Sequence, residues 1–351
     1  MKRNRLFLII ATLTALGCTT SCSQDHDIAV PDGEHRTPIS FNVGIGGKNT
    51  SDATTRGYTT GALYNSGYTF LATDVVTIGI KGVSGSSRST SVEEIKQYTV
   101  AAGTGSQAMT YSKDADGSST NGFDWLSQSE KVSIRAWSYG NGDTPATDPD
   151  AQTFTISTTQ NTDTSIKELL YAKATDYDYG NINIPLYHQL ARVVVNITAT
   201  LPSSVSVTQV YIGSNNIPTS GTFAIPTSTN NVGSWSAQTG PGTITAKQLV
   251  ETTGSSHTYS AVIIPYDGTD GSATYYKAND NFIVITTNQG TYTYKIPTGG
   301  LNLQAGKQYT FTITNLNQID LNVTVSAWTD DSTNSETITF SNYAEIDIKK
   351  Q

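Results

Sequence analysis

An all-β fold is what this sequence predicts, and three observations lead to that prediction. Apolar and polar residues alternate in short runs along the chain, which is the period of a strand with one buried face. Several runs end at Gly, Pro, Asn or Asp, residues that tolerate turn geometry. Only 14% of the 351 residues are charged, while Gly, Ser, Thr, Asn and Tyr are abundant. That composition favours sheets with many turns over a helical bundle.

Six alternating runs mark the clearest strands. In each run every second side chain is apolar, so one face can pack while the other meets water. Two short patches, residues 92–97 and 166–171, look helical instead. The six runs are Val76-Ile78-Ile80, Val132-Ile134-Ala136, Val193-Val195-Ile197, Tyr292-Tyr294-Ile296, Tyr309-Phe311-Ile313 and Leu321-Val323-Val325.

Many short strands with little helix between them predict antiparallel sheets packed as sandwiches, and they argue against a parallel βαβ sheet. At roughly 150 residues per domain, the chain is long enough for about two domains. Near residues 183–186, "YDYGNINIP" gives way to the strong strand "LARVVVNITATL". We therefore predict an N-terminal β-sandwich at 57–185, a C-terminal β-sandwich at 186–329 and a tail at 330–351.

The chain opens with a secretion signal. A basic segment, Lys2 to Arg5, precedes an apolar run at 6–16, which is much shorter than the roughly 20 residues that span a bilayer. Both cysteines of the chain follow this run directly, in a placement similar to the lipobox of bacterial lipoproteins. We favour Cys22, within "SCSQDHD", as the lipidated residue, with Cys18 as the alternative. The predicted signal peptide is 1–21, followed by a leader at 22–56.

The remaining chain has no thiol and is acidic. Without Cys18 and Cys22 it can form no disulfide, no cysteine-based metal site and no cysteine nucleophile. Loss of the signal takes the basic residues from 21 to 18 against 29 acidic ones, for a net charge of −11. Nucleic-acid binding needs clustered Lys and Arg to neutralise phosphates. The sequence therefore predicts no nucleic-acid partner.

The sequence contains no recognisable catalytic or metal site, and we predict neither an enzyme nor a cofactor. No G-x-S-x-G elbow, P-loop or H-E-x-x-H motif occurs. Of the four histidines, His26 and His35 lie in the leader, while His188 and His257 lack a His or carboxylate at metal-ligand spacing, and His188 is expected to pack at a strand edge. Asp114, Asp116 and Asp124 form a fragment of a calcium loop that lacks its later ligands, which favours a solvated loop. Paired carboxylates of a glycosidase would leave no local signature.

Two alternating segments near the ends of the chain resemble each other. The first contains Ile39, Phe41, Val43 and Ile45, which share one apolar face of a strand. Arg56 follows in "SDATTRG", a segment that we expect to be exposed to proteases. The second segment opens with the same I-x-F step, and only Asn342 interrupts its apolar face, which comprises Ile338, Phe340, Ala344, Ile346 and Ile348. The simplest alternative is that both are ordinary strands paired within their own domains.

Three longer stretches resemble the fimbrillin family, the pilus subunits of Bacteroidales. They are "LLYAKATDYDYGNINIPLYHQLARVVVNI", "YSAVIIPY" and "LNLQAGKQYTFTITNLNQIDLNVTVSAWTD". The H-x-L-A-R-V strand and the A-G-K-x-Y-x-F block are fairly specific together, and the similarity runs from residue 39 to 328. The resemblance implies two transthyretin-like β-sandwich domains, export as an outer-membrane lipoprotein, and assembly at the cell surface.

The same resemblance implies a route of assembly. A trypsin-like, arginine-specific protease would cut after Arg56, before Gly57, and release lipid, leader and first strand together. Cutting after Arg36 would leave that strand attached, because Arg36 precedes it. The alternating tail of another copy, or of a related pilus subunit, would then replace the lost strand, an addition that open sheet edges favour.

The resemblance leads to a structural fimbrial subunit that supports adhesion, with four alternatives. The chain could instead be an anchor subunit that keeps its lipid, or a tip subunit with a modified end. From a different class, it could be a monomeric glycan-binding surface lipoprotein. A hydrolase is the weakest alternative, because no residue constellation supports it.

Overall fold

The structure is a computed structural model. It describes residues 36–46, 69–114, 117, 121–139, 148–162, 165–201, 203–227, 231–252, 256–266, 275–296, 300–314, 316, 321–327 and 335–339. These residues form strands and turns, and none of them forms an α-helix that could cross a membrane. Cys18, Cys22, Arg56 and Gly57 lie outside the described residues.

Twenty-two strands occur in the described part of the chain. In order they are β1 (Thr37–Pro38), β2 (Phe41–Ile45), β3 (Thr69–Phe70), β4 (Val75–Gly82), β5 (Glu94–Val100), β6 (Gly103–Thr104), β7 (Gln107–Asp114), β8 (Asp124–Trp125), β9 (Lys131–Ser138), β10 (Gln152–Thr155), β11 (Leu170–Asp178), β12 (Ile182–His188), β13 (Ala191–Ile197), β14 (Val207–Ala224), β15 (Ser234–Thr245), β16 (Lys247–Thr252), β17 (Ser256–Ile263), β18 (Asn281–Thr287), β19 (Gly290–Lys295), β20 (Lys307–Ile313), β21 (Leu321–Ala327) and β22 (Ser335–Thr339).

The all-β prediction is confirmed. Each of the six alternating runs lies in a strand, namely β4, β9, β13, β19, β20 and β21, with only Ile296 falling one residue beyond its strand. The prediction of helix in the two short patches was wrong, because β5 begins at Glu94 and β11 begins at Leu170. Ile95, Tyr98 and Val100 suit a strand, and β5 pairs on both sides with β4 and β7. Long-range pairing there overrides a weak local preference for helix.

Seven strands of the N-terminal half form a closed ring in the order β11-β12-β2-β7-β5-β4-β9. The ring closes because β9 and β11 pair through seven registered residues. Its pairs are antiparallel, except that β2 runs parallel to β12, which the prediction of purely antiparallel sheets missed. The interior is filled by a cluster of apolar side chains that includes Phe41, Val76 and Ile184.

The C-terminal half contains two sheets around a second core. One sheet has the order β10-β14-β18-β19, with β15 also paired to β14, and the other has the order β16-β17-β13-β20-β21-β22. Val210 and Ile285 of the first sheet share a buried cluster with Val195 and Phe311 of the second. This is a two-layer sheet packing, as a β-sandwich requires. One pair in it, β13 with β20, is also parallel.

Two strands of the ring contribute to both cores. In β9, Ala136 packs in the ring interior while its neighbour Trp137 belongs to the second cluster. In β11, Leu170 and Tyr171 divide in the same way. Successive side chains of a strand point to opposite faces, so one strand can serve two cores. β10 also lies before the predicted boundary but pairs with β14 after it. The division at 185/186 remains a prediction.

Gln189 is a buried residue between β12 and β13, and its side chain forms hydrogen bonds with three backbone groups. The Gln189 amide nitrogen donates to the carbonyls of Tyr187 at 2.8 Å and Asn231 at 3.1 Å, and its side-chain oxygen accepts from Gly233 N at 2.8 Å. The Gln189 side chain is fully buried, and the backbone groups that it bonds are part-buried.

We expect Gln189→Ala to lower the free energy of unfolding by about 1–3 kcal/mol, because it removes a buried side chain that bonds three part-buried backbone groups. Urea denaturation of the mature protein measures this change. Gln289→Ala is the matched control: its amide donates to the Ser204 carbonyl and hydroxyl at an exposed site, so its effect should stay below about 0.5 kcal/mol. Equal effects of the two substitutions would contradict the structural role of Gln189.

Candidate assembly site

The first alternating segment forms a wall of the closed ring. β2 lies between β12, with which it pairs from Phe41↔Ile182 to Ile45↔Leu186, and β7, with which it pairs at Asn42↔Ala108 and Val43↔Gln107. In the described residues, β2 is the one strand that joins β12 to β7 and so completes the ring. We call the space that its inward side chains occupy the β2 site.

Backbone hydrogen bonds hold this segment along its length. Gly46 N donates to the Leu186 carbonyl at 2.6 Å, and Ile182 N donates to the Ser40 carbonyl at 2.9 Å. Before β2, Ile39 N donates to the Phe123 carbonyl at 2.8 Å, and β1 pairs with β8. The segment at 37–46 is therefore integrated into the sheet, and it is more than a peripheral edge strand.

The inward side chains of the segment are deeply buried. The exposed fractions of Ile39, Phe41 and Val43 are 6%, 2% and 0%, whereas Ile45 is half-buried. The Phe41 ring contacts Tyr98 edge-on at 5.2 Å and Phe123 at 6.3 Å between centroids. Burial raises the pKa of the Tyr98 hydroxyl well above its usual value, so this hydroxyl stays neutral while it accepts from Phe123 N at 2.9 Å. The prediction that these four residues share one apolar face agrees with this geometry.

An ion network centred on the buried pair of Arg88 and Glu130 supports the wall beside Phe123. Arg88 lies 3.2 Å from the carboxylate of Glu130 and 2.6 Å from that of Glu94, and it also donates to the Asp124 carbonyl at 2.6 Å. Glu130 in turn accepts from Leu126 N at 2.6 Å. This network could not be predicted from the sequence, because Arg88 and Glu130 are 42 positions apart and neither belongs to a motif.

Lys96 completes this support from the neighbouring strand β5. Its ammonium donates to the Asn121 carbonyl at 2.6 Å and lies 5.3 Å from the Phe123 ring centroid. Together with Arg88, it fixes the 121–126 segment against which Ile39 and Phe41 pack. The β2 site is thus bounded on this side by residues that have partners of their own.

The second alternating segment is described only at its start. β22 pairs antiparallel with β21 of the same chain, with Ile338 opposite Val323, and it is the outermost strand of its sheet. Phe340, Ala344, Ile346 and Ile348 lie outside the described residues. The simpler alternative of a strand paired within its own domain therefore holds for residues 335–339.

Of the other polar residues considered in the sequence, His26, His35 and Asp116 lie outside the described residues, and His188 and Asp114 contact other side chains. His188 is buried, and its Nδ1 lies 3.1 Å from a carboxylate oxygen of Glu168, a contact that spacing alone did not suggest. Asp114 is engaged by Lys96 at 3.3 Å and by the Tyr111 hydroxyl at 3.0 Å. Among the described residues, no three His, Cys, Asp or Glu side chains are grouped as a metal site would need.

The described tryptophans pack in or beside the cores. Trp125 and Trp137 are buried, and Trp235 is partly buried against Phe223 at 5.4 Å. Trp328 lies outside the described residues. No described tryptophan is therefore displayed for stacking on a sugar.

A polar cleft lies at the β18–β19 hairpin. It encloses about 1110 Å³, and it was not anticipated from the sequence because its lining comes from three separate segments. Asn215 and Asn279 lie in two of these segments, and the backbone of each has a left-handed conformation. The lining residues are Ser214, Asn215, Asn216, Asn279, Asp280, Asn281, Thr286, Thr287, Asn288, Gln289, Gly290, Thr291, Thr293 and Lys295.

Comparison with known proteins places this geometry among related folds. A family model described as fimbrillin-like matches residues 59–328, which is more than half of the chain. The fold is similar to that of a proposed cell adhesion protein from Bacteroides ovatus ATCC 8483, with a TM-score of 0.52, 16% identity, and coverage of 89% of this chain and 98% of that one. The fold is also similar to that of a proposed cell adhesion protein from Bacteroides uniformis ATCC 8492, with a TM-score of 0.50, 16% identity, and coverage of 85% of this chain and 100% of that one. No curated protein matches the sequence.

Proposed function

Because the chain belongs to the fimbrillin-like family, a family of structural proteins and not of enzymes, we propose that it is a structural subunit of a surface fimbria. In this proposal the precursor is exported as a lipoprotein, is cut after Arg56 by an arginine-specific protease, and polymerises by strand replacement. Its partners are other copies of itself and related fimbrial subunits, and the polymer supports adhesion. A stalk subunit is our first choice over a tip, because a long alternating tail is needed only where a subunit donates a strand to a neighbour, whereas the N-terminus of the surface form distinguishes a stalk from an anchor.

The observation that carries this proposal is the position of β2. Because β2 joins β12 to β7, its loss would leave two unpaired strand edges facing each other across one strand width. It would also uncover the pockets of Ile39, Phe41 and Val43, each buried to more than nine-tenths. Unpaired edges beside apolar pockets strongly favour the addition of a strand.

The size of the hydrophobic term explains why a replacement strand would bind firmly. Burial of a large apolar side chain contributes about 1.5–3 kcal/mol, so three such pockets offer a gross term of roughly 5–9 kcal/mol. Backbone hydrogen bonds to β12 and β7 add to this term, while the ordering of the incoming chain opposes it.

Arg56 is placed in the sequence where a single cut has the largest consequence. It follows β2 and precedes β3, so cleavage there would separate β2, the leader and any lipid on Cys22 or Cys18 from the rest of the chain. Arg36 precedes β1, so a cut there would leave β2 joined to the ring.

The N-terminus of the surface form tests the proposal directly. We expect mass spectrometry of fimbriae sheared from cells to find a chain that begins at Gly57. A chain that begins at a lipidated cysteine would assign the anchor role instead. A surface polymer that retains β2 covalently would rule out strand replacement at the β2 site.

The second candidate is a monomeric glycan-binding surface lipoprotein, and the polar cleft favours it. Asparagine, threonine and glutamine side chains offer both donors and acceptors to sugar hydroxyls. The same preparation separates the two functions: a mature chain that never polymerises, but is retained on immobilised glycans, would support this candidate.

A further inference from the structure

The basic residues that follow Gly57 differ in exposure according to their type. Three arginines follow it, namely Arg88, Arg135 and Arg192. The exposed fractions of Arg88 and Arg192 are 6% and 7%, and that of the Arg135 side chain is 12%. None of the described lysines after Gly57 is buried, and the exposed ones are Lys81, Lys113, Lys131, Lys167 and Lys277. The one described arginine that is exposed, Arg36, lies in the leader.

Two of the three arginines lie inside paired strands. β9, which carries Arg135, lies between β4 and β11 in the ring, and β13, which carries Arg192, lies between β17 and β20. A protease can cut such a strand only after the strand has left its sheet, so the rate of cleavage follows the small population of the opened state. Strand pairing alone therefore protects these two positions.

Arg88 has no such protection, because it lies in the loop at 83–93 between β4 and β5. The loop sequence "SGSSRSTS" is similar in composition to "SDATTRG" around Arg56. Exposed loops of small and polar residues are preferred sites of proteolytic cleavage. Within residues 84–92, Arg88 is nevertheless the one residue that is buried. Its side chain is folded back from an otherwise accessible loop.

Three acceptors hold the Arg88 guanidinium in that position. It lies 3.2 Å from Glu130 and 2.6 Å from Glu94, and it donates to the Asp124 carbonyl at 2.6 Å. A protease of trypsin-like specificity has to take the arginine side chain into a pocket of its own. Arg88 can enter such a pocket only after it leaves all three acceptors. Its departure would also leave Glu130, whose side chain is 0% exposed, as a buried charge without its counter-ion.

We propose that the ion pair of Arg88 and Glu130 protects the Arg88–Ser89 bond from the arginine-specific protease and so confines cleavage to the leader. This inference rests on the proposed function and deepens it, because it names what makes the processing step specific. Hydrolysis at Arg88 would separate β4 from β5, two neighbouring strands of the ring. The network that supports the wall beside Phe123 thus has a second role.

The alternative is that the loop backbone itself resists the protease. The loop contains a turn in which Ser86 N donates to the Val83 carbonyl at 2.8 Å, and Gly82 N donates to the Ser89 carbonyl at 2.7 Å. The two explanations differ in what they predict for an arginine at another position of the same loop. Thr90 is such a position, since it is exposed and follows Arg88 by two residues.

The folded precursor with Thr90→Arg is digested with an arginine-specific protease, and mass spectrometry of the fragments gives the rate of each cut. We expect cleavage after position 90 to be at least about a hundredfold faster than cleavage after Arg88, because no buried ion pair has to break first. Thr90→Lys is the matched control and should stay uncut in this loop. Resistance of Thr90→Arg, or rapid cleavage after Arg88 in the unaltered chain, overturns the proposal.

Glu130→Gln weakens the protection directly, because it removes the buried charge and nearly keeps the side-chain volume. We expect cleavage after Arg88 to become at least about tenfold faster. Asp148→Asn is the control: it removes a carboxylate that lies 3.1 Å from Arg135, but β9 stays paired, so no cut after Arg135 should appear. Cuts after Arg135 and Arg192 in Glu130→Gln would reveal global unfolding, and Thr90→Arg then decides. An unchanged rate after Arg88 in folded Glu130→Gln overturns the proposal.

The inference and the proposed function fail in different ways. A precursor that resists the protease at Arg56, while Thr90→Arg is cut in its loop, removes the cleavage step from the proposed function and leaves the protection of Arg88 standing. A precursor that is cut equally fast after Arg56 and Arg88 overturns the protection and leaves the cleavage step standing.

Discussion

An Arg56→Ala variant should accumulate as full-length monomer, with polymer reduced at least about tenfold relative to the unaltered chain, because an uncut β2 continues to fill the strand position that a donor would need. A covalently attached strand competes at a high effective concentration, and a donor from another molecule cannot match it. Size-exclusion chromatography and gel electrophoresis of purified precursor, treated with an arginine-specific protease, measure the outcome.

The controls separate cleavage from other effects of the substitution. Arg36→Ala should polymerise normally, because that arginine precedes β2 and cleavage there leaves β2 joined to the ring. Lys48 lies between β2 and Arg56, so a protease that also cuts after lysine should restore polymers to Arg56→Ala. Normal polymers from Arg56→Ala under an arginine-specific protease would remove the cleavage step from the proposed function.

The buried position of β2 also explains why cleavage alone would not make exchange instantaneous. After a cut the old strand still makes five registered pairs with β12 and fills three closed pockets. A donor must displace it against that binding, and the two strands then compete for the same edges. The half-open position of Ile45 is the natural starting point, because it is the least buried of the four positions on the segment.

Local alternation predicted the strands well because one buried face leaves a period of two in the sequence. Val132, Ile134 and Ala136 show this in β9, where all three are buried and the residues before each of them are more exposed. The same reading failed at β5, because Glu94, Lys96 and Gln97 carry polar groups in a strand that long-range pairs hold on both sides.

The pairing partners of the strands and the side-chain contacts that support them could not be predicted from the sequence. Nothing near Phe41 reveals that it pairs with Ile182 in a parallel ladder, since the two residues are brought together only by the closed ring. The same holds for Arg88 and Glu130, because Arg88 lies in the loop between β4 and β5 whereas Glu130 lies directly before β9. The apolar face of the candidate site was therefore predictable from the sequence. The strands that surround it, and the difference in burial between Ile45 and the other three positions, were not.

Truncation after Thr339 should abolish polymerisation and leave the subunit folded. The deletion removes residues 340–351 and keeps every residue that the structure describes, including β22 and its five pairs with β21. We expect the free energy of unfolding to change by less than about 0.5 kcal/mol, because no described contact is lost. Polymer yield should fall at least about tenfold, because the subunit can no longer supply a strand to the open edges of another copy. Urea denaturation and size-exclusion chromatography of the cleaved protein measure the two effects.

Mixing truncated and full-length subunits tests whether the tail links successive subunits of the polymer. A truncated copy keeps its β2 site, so after cleavage it can receive a tail, but it has none to offer and must end the polymer. Mean polymer length should therefore fall steadily as the truncated fraction rises. An uncleaved truncated subunit, which has neither an open site nor a tail, should leave the length unchanged and serves as the matched control. Polymers of constant length in both mixtures would show that residues 340–351 do not link the subunits.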